Sequence, residues 1–269
     1  DYLDDDFNPG KTITEQRGPL DKTGYMVFMT FLEEAVSIDP VVLYEAEKKI
    51  LEESKNTDNK VASAEQMMSI KQTVAFLDAG HADVMKKLSY LIINNISNKA
   101  SRESTLKSTE GILFNSVFLR GNPGVGKTNV MLPMAIQMHM DINDIKSLKI
   151  RIVDPTGDLE SRLSELNAAF GGKRNIVVEK MDRRDAVKNG FNEDYDILVW
   201  DEASVLKSEH LDTIKKSGKS KPMIFLGDEA QMQSIDESSL MSPASRRMYR
   251  TTPVSTSYRS SVFQIDDLR

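Results

Sequence analysis

Cysteine is absent from the 269 residues, so neither a disulfide framework nor a thiolate zinc site can be built. Histidine is nearly as scarce: His81, His139 and His210 are the full set, too scattered along the chain to suggest an imidazole metal cluster. Long apolar runs are also missing. No stretch approaches the roughly 20 residues that span a bilayer, and the opening Asp1-Tyr2-Leu3-Asp4-Asp5-Asp6 lacks the basic and apolar regions of a signal peptide. An intracellular, reduced and cytoplasmic setting away from membranes is the expectation. Excess positive charge is lacking too, since 35 Lys and Arg against 41 Asp and Glu leave a net charge of -6. Attraction to nucleic acid must then come from a local basic face. Lys215-Lys216-Ser217-Gly218-Lys219-Ser220-Lys221 and Arg246-Arg247-Met248-Tyr249-Arg250 are the two basic stretches, each read as a solvated loop. What is present is 39% hydrophobic content, enough for a proper core.

Residues 1–22 are polar and acidic, with Pro9-Gly10 and Gly18-Pro19 blocking regular structure, and read as an arm. From Tyr25 to about Ser54 the apolar residues recur at helical spacing and break near Asp39-Pro40, which predicts two helices. Ala62 to Asp78 and Ala82 to Ile96 predict two more around Gly80. Ser97 to Gly111, rich in Ser, Lys and Glu, reads as a boundary loop. The expected organisation is an arm over 1–22, a helical region over 23–110 and an α/β domain over 111–269 with a mainly parallel sheet. Within that last part, Lys149 to Val153, Ile176 to Val178, Ile197 to Trp200 and Pro222 to Leu226 are short buried strand patterns. Helical patterns alternate with them, as a parallel sheet requires. Met131, Met134 and Met138 share the apolar stripe of the helix that starts at Gly126, with Pro133 expected to bend it.

The stretch of most chemical content is Ile112 to Thr128, an apolar run that empties into Gly121-Asn122-Pro123-Gly124-Val125-Gly126-Lys127-Thr128. This spacing, set between a strand and a helix, is that of a phosphate-binding loop. Its glycines let successive backbone N–H groups converge on a polyphosphate, and the following helix adds the positive end of its dipole. Lys127 would reach the β- and γ-phosphates of ATP, and the Thr128 hydroxyl would hold Mg²⁺. A second site must complete the metal shell and activate water. Asp196 to Ser204 supplies it at a strand end, with Asp201 as the Mg²⁺ partner and Glu202 placed to orient or deprotonate the attacking water. Trp200 lies inside that strand and reads as core. At the end of the next strand, after Gly227-Asp228-Glu229-Ala230, the amide of Gln231 can bond both a γ-phosphate and that water.

These motifs, in this order, resemble motifs I, II and III of superfamily 1 helicases. Asp154-Pro155-Thr156-Gly157, followed by Leu159 to Leu166, is similar to their motif Ia in the RecD-like branch, and Ser257-Tyr258-Arg259-Ser260 resembles motif IV. The resemblance covers about Gly111 to Ser261 and implies a RecA-like P-loop ATPase domain. It implies that Thr156 and Gly157 touch a single-stranded nucleic acid, DNA ahead of RNA. It further implies that Gln231 couples the γ-phosphate to strand movement and that Arg259 approaches the γ-phosphate. The family's adenine-reading glutamine has its nearest counterpart in Gln72, which reads as a helix surface residue. Met232-Gln233-Ser234 stands where motif III continues with Leu-Pro-Pro. The second motor domain of such helicases is absent, so the chain is expected to be part of a longer protein that binds ATP but hydrolyses it feebly alone. An AAA+ ATPase also accepts this loop, but its sensor strand should end in a small polar residue. A nucleotide-gated binding or assembly module is the alternative from another class.

Overall fold

A computed structural model describes residues 22–55, 61–79, 81–109, 116–154, 175–182, 194–203, 221–228 and 249–256. Among the described residues five helices come first: α1 (Lys22–Ala35), α2 (Pro40–Lys55), α3 (Ala64–Asp78), α4 (His81–Asn95) and α5 (Lys99–Thr109). Local chemistry starts several of them. Pro40 opens α2 where its missing N–H costs nothing, and Asp39 accepts from Val41 N at 2.8 Å. Ser63 and Gln66 form a reciprocal capping box on α3, Gln66 N to Ser63 Oγ at 3.2 Å and Ser63 N to Gln66 Oε1 at 2.8 Å. The α5 helix corrects the expectation of a loop over 97–111. Asn98 caps it by accepting from Ser101 N at 3.0 Å, and Thr105 and Leu106 face the packed layer beneath. One such contact row holds a short polar helix whose composition alone would not.

Six strands follow among the described residues: β1 (Ser116–Arg120), β2 (Ser147–Asp154), β3 (Asn175–Asp182), β4 (Ile197–Trp200), β5 (Met223–Gly227) and β6 (Tyr249–Arg250). They form one sheet in the order β3-β2-β4-β5-β1-β6, and every pairing is parallel. The fold is therefore the expected α/β P-loop architecture. Strands β4 and β5 are buried throughout and β1 over all but its last residue, as central strands of a parallel sheet must be. Edge strand β3 is not the buried strand expected, with Asn175 and Val177 exposed and Ile176, Val178, Glu179 and Lys180 half-buried. Arg120 stands opposite Gly227, and Trp200 opposite Phe225, so the carboxyl ends of β1, β5 and β4 lie side by side.

After β1 the chain turns through 121–126 into a wide π turn (Lys127–Met131) and then α6 (Leu132–Ile142). Gly126 O accepts from both Val130 N at 2.9 Å and Met131 N at 3.0 Å. Pro133, which has no N–H to give, sits in the first turn of α6, so the local adjustment is this widened turn rather than a bend inside the helix. Met131, Met134 and Met138 are buried core, as expected.

Helix α3 is buried nearly all round, and its polar face is not idle. Ser69 Oγ donates to Thr251 Oγ1 at 2.7 Å, Gln72 Oε1 accepts from Thr252 N at 2.6 Å, and Phe76 stacks on Tyr249 with centroids 5.1 Å apart. Gln72 is thus no surface residue. The chain over 249–256 lies against α3 on one side and β1 on the other, where Thr251 N reaches Phe118 O at 3.0 Å and Val254 N reaches Arg120 O at 3.2 Å. At their far ends α3 and α6 are tied by Asp78, which meets His139 Nδ1 and accepts from Asn143 Nδ2 at 2.8 Å. One continuous apolar core runs from Phe28 to Val254. Among the described residues no helix is long and apolar enough to cross a membrane.

Tyr249 carries a testable consequence of this packing. Burial first, and the Glu33 carboxylate second, push its phenol up from 10.0 to about 12. Between those values the folded chain keeps a proton that the unfolded chain has lost, so stability falls as pH rises. Across the window the loss is about 2–3 kcal/mol. Urea midpoints measured at stepped pH from 9.5 upward should decline more steeply for wild type than for Tyr249→Phe, and parallel declines would refute the assignment.

Candidate nucleotide site

Gly121 and Gly126 are demanded by geometry. A Cβ at Gly121 would lie 2.7 Å from Val125 Cγ2 and 3.1 Å from Val254 O. Gly126 sits at φ +81°, in the left-handed region, with Val130 and the Gln66 amide each within 3.3 Å of where a Cβ would stand. The loop between them is held from several sides. Gly121 N donates to Gly227 O at 3.3 Å, Asn122 N to Val254 O at 3.0 Å, and Gln66 Nε2 to Val125 O at 2.7 Å. Val125 turns its side chain fully into the core, and Asn122 and Pro123 face outward.

The Lys127 ammonium donates to Gly121 O at 2.7 Å and Asn122 O at 3.0 Å, two of its three N–H bonds. Burial pushes it below the usual lysine range, against the opposing pull of Asp228, Glu202 and Asp201 in that order. Three carboxylates therefore lie within electrostatic reach of the one ammonium. Asp201 and Asp228 are each 4% exposed. Asp201 N donates to Val153 O at 3.0 Å, which anchors the end of β4 on β2, and Asp201 Oδ1 accepts from Glu202 N at 3.0 Å. Glu202 adopts φ +49°, a left-handed conformation unusual for a residue with a side chain and typical of functional sites. Thr128 follows Lys127 in the widened turn, half-buried.

The donor set suits Mg²⁺. A hydroxyl at Thr128 and a buried carboxylate at Asp201 are hard oxygen donors of the kind this ion takes. Among the described residues no group of three carboxylates and imidazoles could hold a metal unaided. A nucleotide's phosphates would have to complete the shell.

Of the expected residues, Gly121 to Thr128, Asp201 and Glu202 lie in or around this cradle. Thr156, Gly157, Gln231 and Arg259 fall outside the described residues. Three contributors had not been expected. Asp228 is the foremost charge acting on Lys127, Gln66 braces the loop at Val125, and Glu65 beside it accepts from Ser255 and Thr256. A sequence signal existed for Gln66 only as a helix start, since Ser63-x-x-Gln66 is a capping box.

Residues 107–266, more than half of the chain, match a family model described as AAA domain. The chain is 24% identical over 176 residues to the RecBCD enzyme subunit RecD of Buchnera aphidicola subsp. Acyrthosiphon pisum. That alignment covers 58% of this chain and 29% of the relative. It is 27% identical over 172 residues to the subunit of the same name from Buchnera aphidicola subsp. Schizaphis graminum, with 56% and 28% covered. The chain thus spans less than a third of the length of the curated relatives it matches. With its parallel sheet, phosphate loop and acidic strand end, the chain belongs to the AAA domain family, as a RecD-like superfamily 1 member with a RecA-like fold.

Proposed function

We propose that this chain is the ATP-binding and ATP-hydrolysing motor domain of a superfamily 1 nucleic-acid helicase. The observation that carries the reading is the alignment of the ends of β1, β5 and β4, which sets Lys127 against Asp228, Glu202 and Asp201. Two strand spacings of about 4.8 Å separate β1 from β4, a span of roughly 10 Å that a triphosphate can bridge. Lys127 and the loop N–H groups bind the phosphates, and Glu202 orients the water for in-line attack on the γ-phosphorus. Thr128 and Asp201 would hold Mg²⁺, which when bound would neutralise phosphate charge. Gln231 and Arg259 respond to the γ-phosphate, and Thr156 and Gly157 contact a single strand, DNA ahead of RNA.

Both relatives are named as enzyme subunits and extend far beyond the matched part, which supports a second motor domain and further partners. The test is phosphate release by the full chain with and without single-stranded DNA or RNA, with Lys127→Ala alongside. Release that rises with DNA and vanishes in the variant is expected. Release indifferent to both polymers would replace the motor with a nucleotide-gated binding module.

A further inference from the structure

The first turn of α3 reaches the phosphate loop by a second route besides Gln66. Glu65 Oε1 accepts from Ser255 N and Ser255 Oγ, both at 2.8 Å, and Glu65 Oε2 accepts from Thr256 N at 3.3 Å. Ser255 O in turn accepts from Asn122 Nδ2 at 3.2 Å, and the neighbouring Val254 O accepts from Asn122 N at 3.0 Å. Asn122 O and Gly121 O then hold the Lys127 ammonium. We propose that Glu65 is a positioning residue of the nucleotide site, fixing Lys127 through Ser255 and Asn122. This rests on the reading of the loop as an ATP site.

Residue type supports the assignment. All three groups facing the side chain are donors, so an acceptor-only carboxylate satisfies them where an amide would satisfy one side and repel the other. The charge also sits in the first turn of α3, where the helix dipole favours it. The Ser255 backbone N–H foremost holds the carboxyl below its usual range. Nothing local calls for the contact, because Glu65 and Ser255 lie 190 residues apart. A staple that merely closed the surface would leave Asn122 out; here the stapled residue is the one that grips it.

The experiment titrates the full chain with a fluorescent ATP analogue and follows turnover against ATP concentration, for wild type, Glu65→Ala, Glu65→Gln and Lys127→Ala. Glu65→Ala should raise Kd about tenfold, the equivalent of one charge-assisted hydrogen bond. KM should rise by more than kcat falls, and the midpoint of thermal unfolding should move by a few degrees at most. Glu65→Gln, isosteric and so safe for folding, should fall between the two. In an Asn122→Ala background the Glu65→Ala effect should shrink to less than about twofold, because the side-chain link from Ser255 is already cut. Binding by Glu65→Ala within twofold of wild type, while Lys127→Ala loses binding, would overturn the proposal. So would a full effect that persists without the Asn122 side chain. A wild-type chain that binds no nucleotide would overturn the ATP reading itself.

Discussion

Replacing Glu202 with Gln is expected to lower ATP turnover by about 10² to 10⁴ while leaving nucleotide affinity within a few-fold of wild type, the signature of a lost general base. The two halves of the expectation have separate origins. Gln keeps the size of the side chain, and the bond from the residue-202 N–H to Asp201 Oδ1 belongs to the backbone, so the strand end keeps its shape. The capacity to accept a proton from water is lost outright. Affinity depends instead on Lys127 and the loop, and removing one of the three carboxylates that pull on that ammonium does not weaken phosphate attraction. Single-turnover phosphate release and equilibrium binding on the same preparation separate the terms. Turnover within threefold of wild type would remove Glu202 from the chemistry and leave Asp228 as the carboxylate to try next.

Trp200→Ala should destabilise the fold by about 3–5 kcal/mol, the range for truncating a large buried aromatic. The indole is 1% exposed and stacked on Phe225 with centroids 6.3 Å apart, so its loss empties the sheet face between β4 and β5. Against a typical total of about 5–15 kcal/mol this is a large share, and a molecule at the low end of that range would be partly unfolded at 37 °C. Trp200→Phe, which refills most of the volume, should recover more than half. The measurement is a urea midpoint by far-UV circular dichroism, since the only tryptophan has been removed. A midpoint unchanged for Trp200→Ala would mean the neighbouring strands collapse into the space. Because Asp201 and Glu202 follow directly, weakened nucleotide binding should accompany the lost stability.

The parts of this molecule that were readable in the sequence are those in which one short stretch carries both the pattern and its physical cause. The strand-loop-helix at Ser116 to Ile142 is such a case, and so are β4 and β5, whose apolar runs announce burial on both faces. Asp201 and Glu202 were legible because the carboxylates close an apolar run. What could not be read depends on who neighbours whom. The placing of β5 between β1 and β4 makes Asp228 the leading charge on Lys127, and nothing near Asp228 in the chain says so. Helix α5 was hidden because tertiary contact at Thr105 and Leu106, not composition, holds it. Gln66, Gln72 and Glu65 look like ordinary polar positions of an amphipathic helix until the far end of the chain is laid along them.

That arrangement has a bearing on how the molecule is made. Ser69 waits for Thr251, a partner 182 residues further on. A ribosome adding about 5–20 residues per second needs roughly 10–40 s to deliver it. During that interval α3 exists with its polar face unpaired, and β1 has no neighbour on the side that β6 will take. Gln66 can brace the phosphate loop once it is made, but the contacts with Val254 and Ser255 wait for the far end, so a nascent chain should reach its full affinity for ATP only when residues near 255 emerge. The order of synthesis would then delay full engagement with nucleotide until the last of these contacts can form.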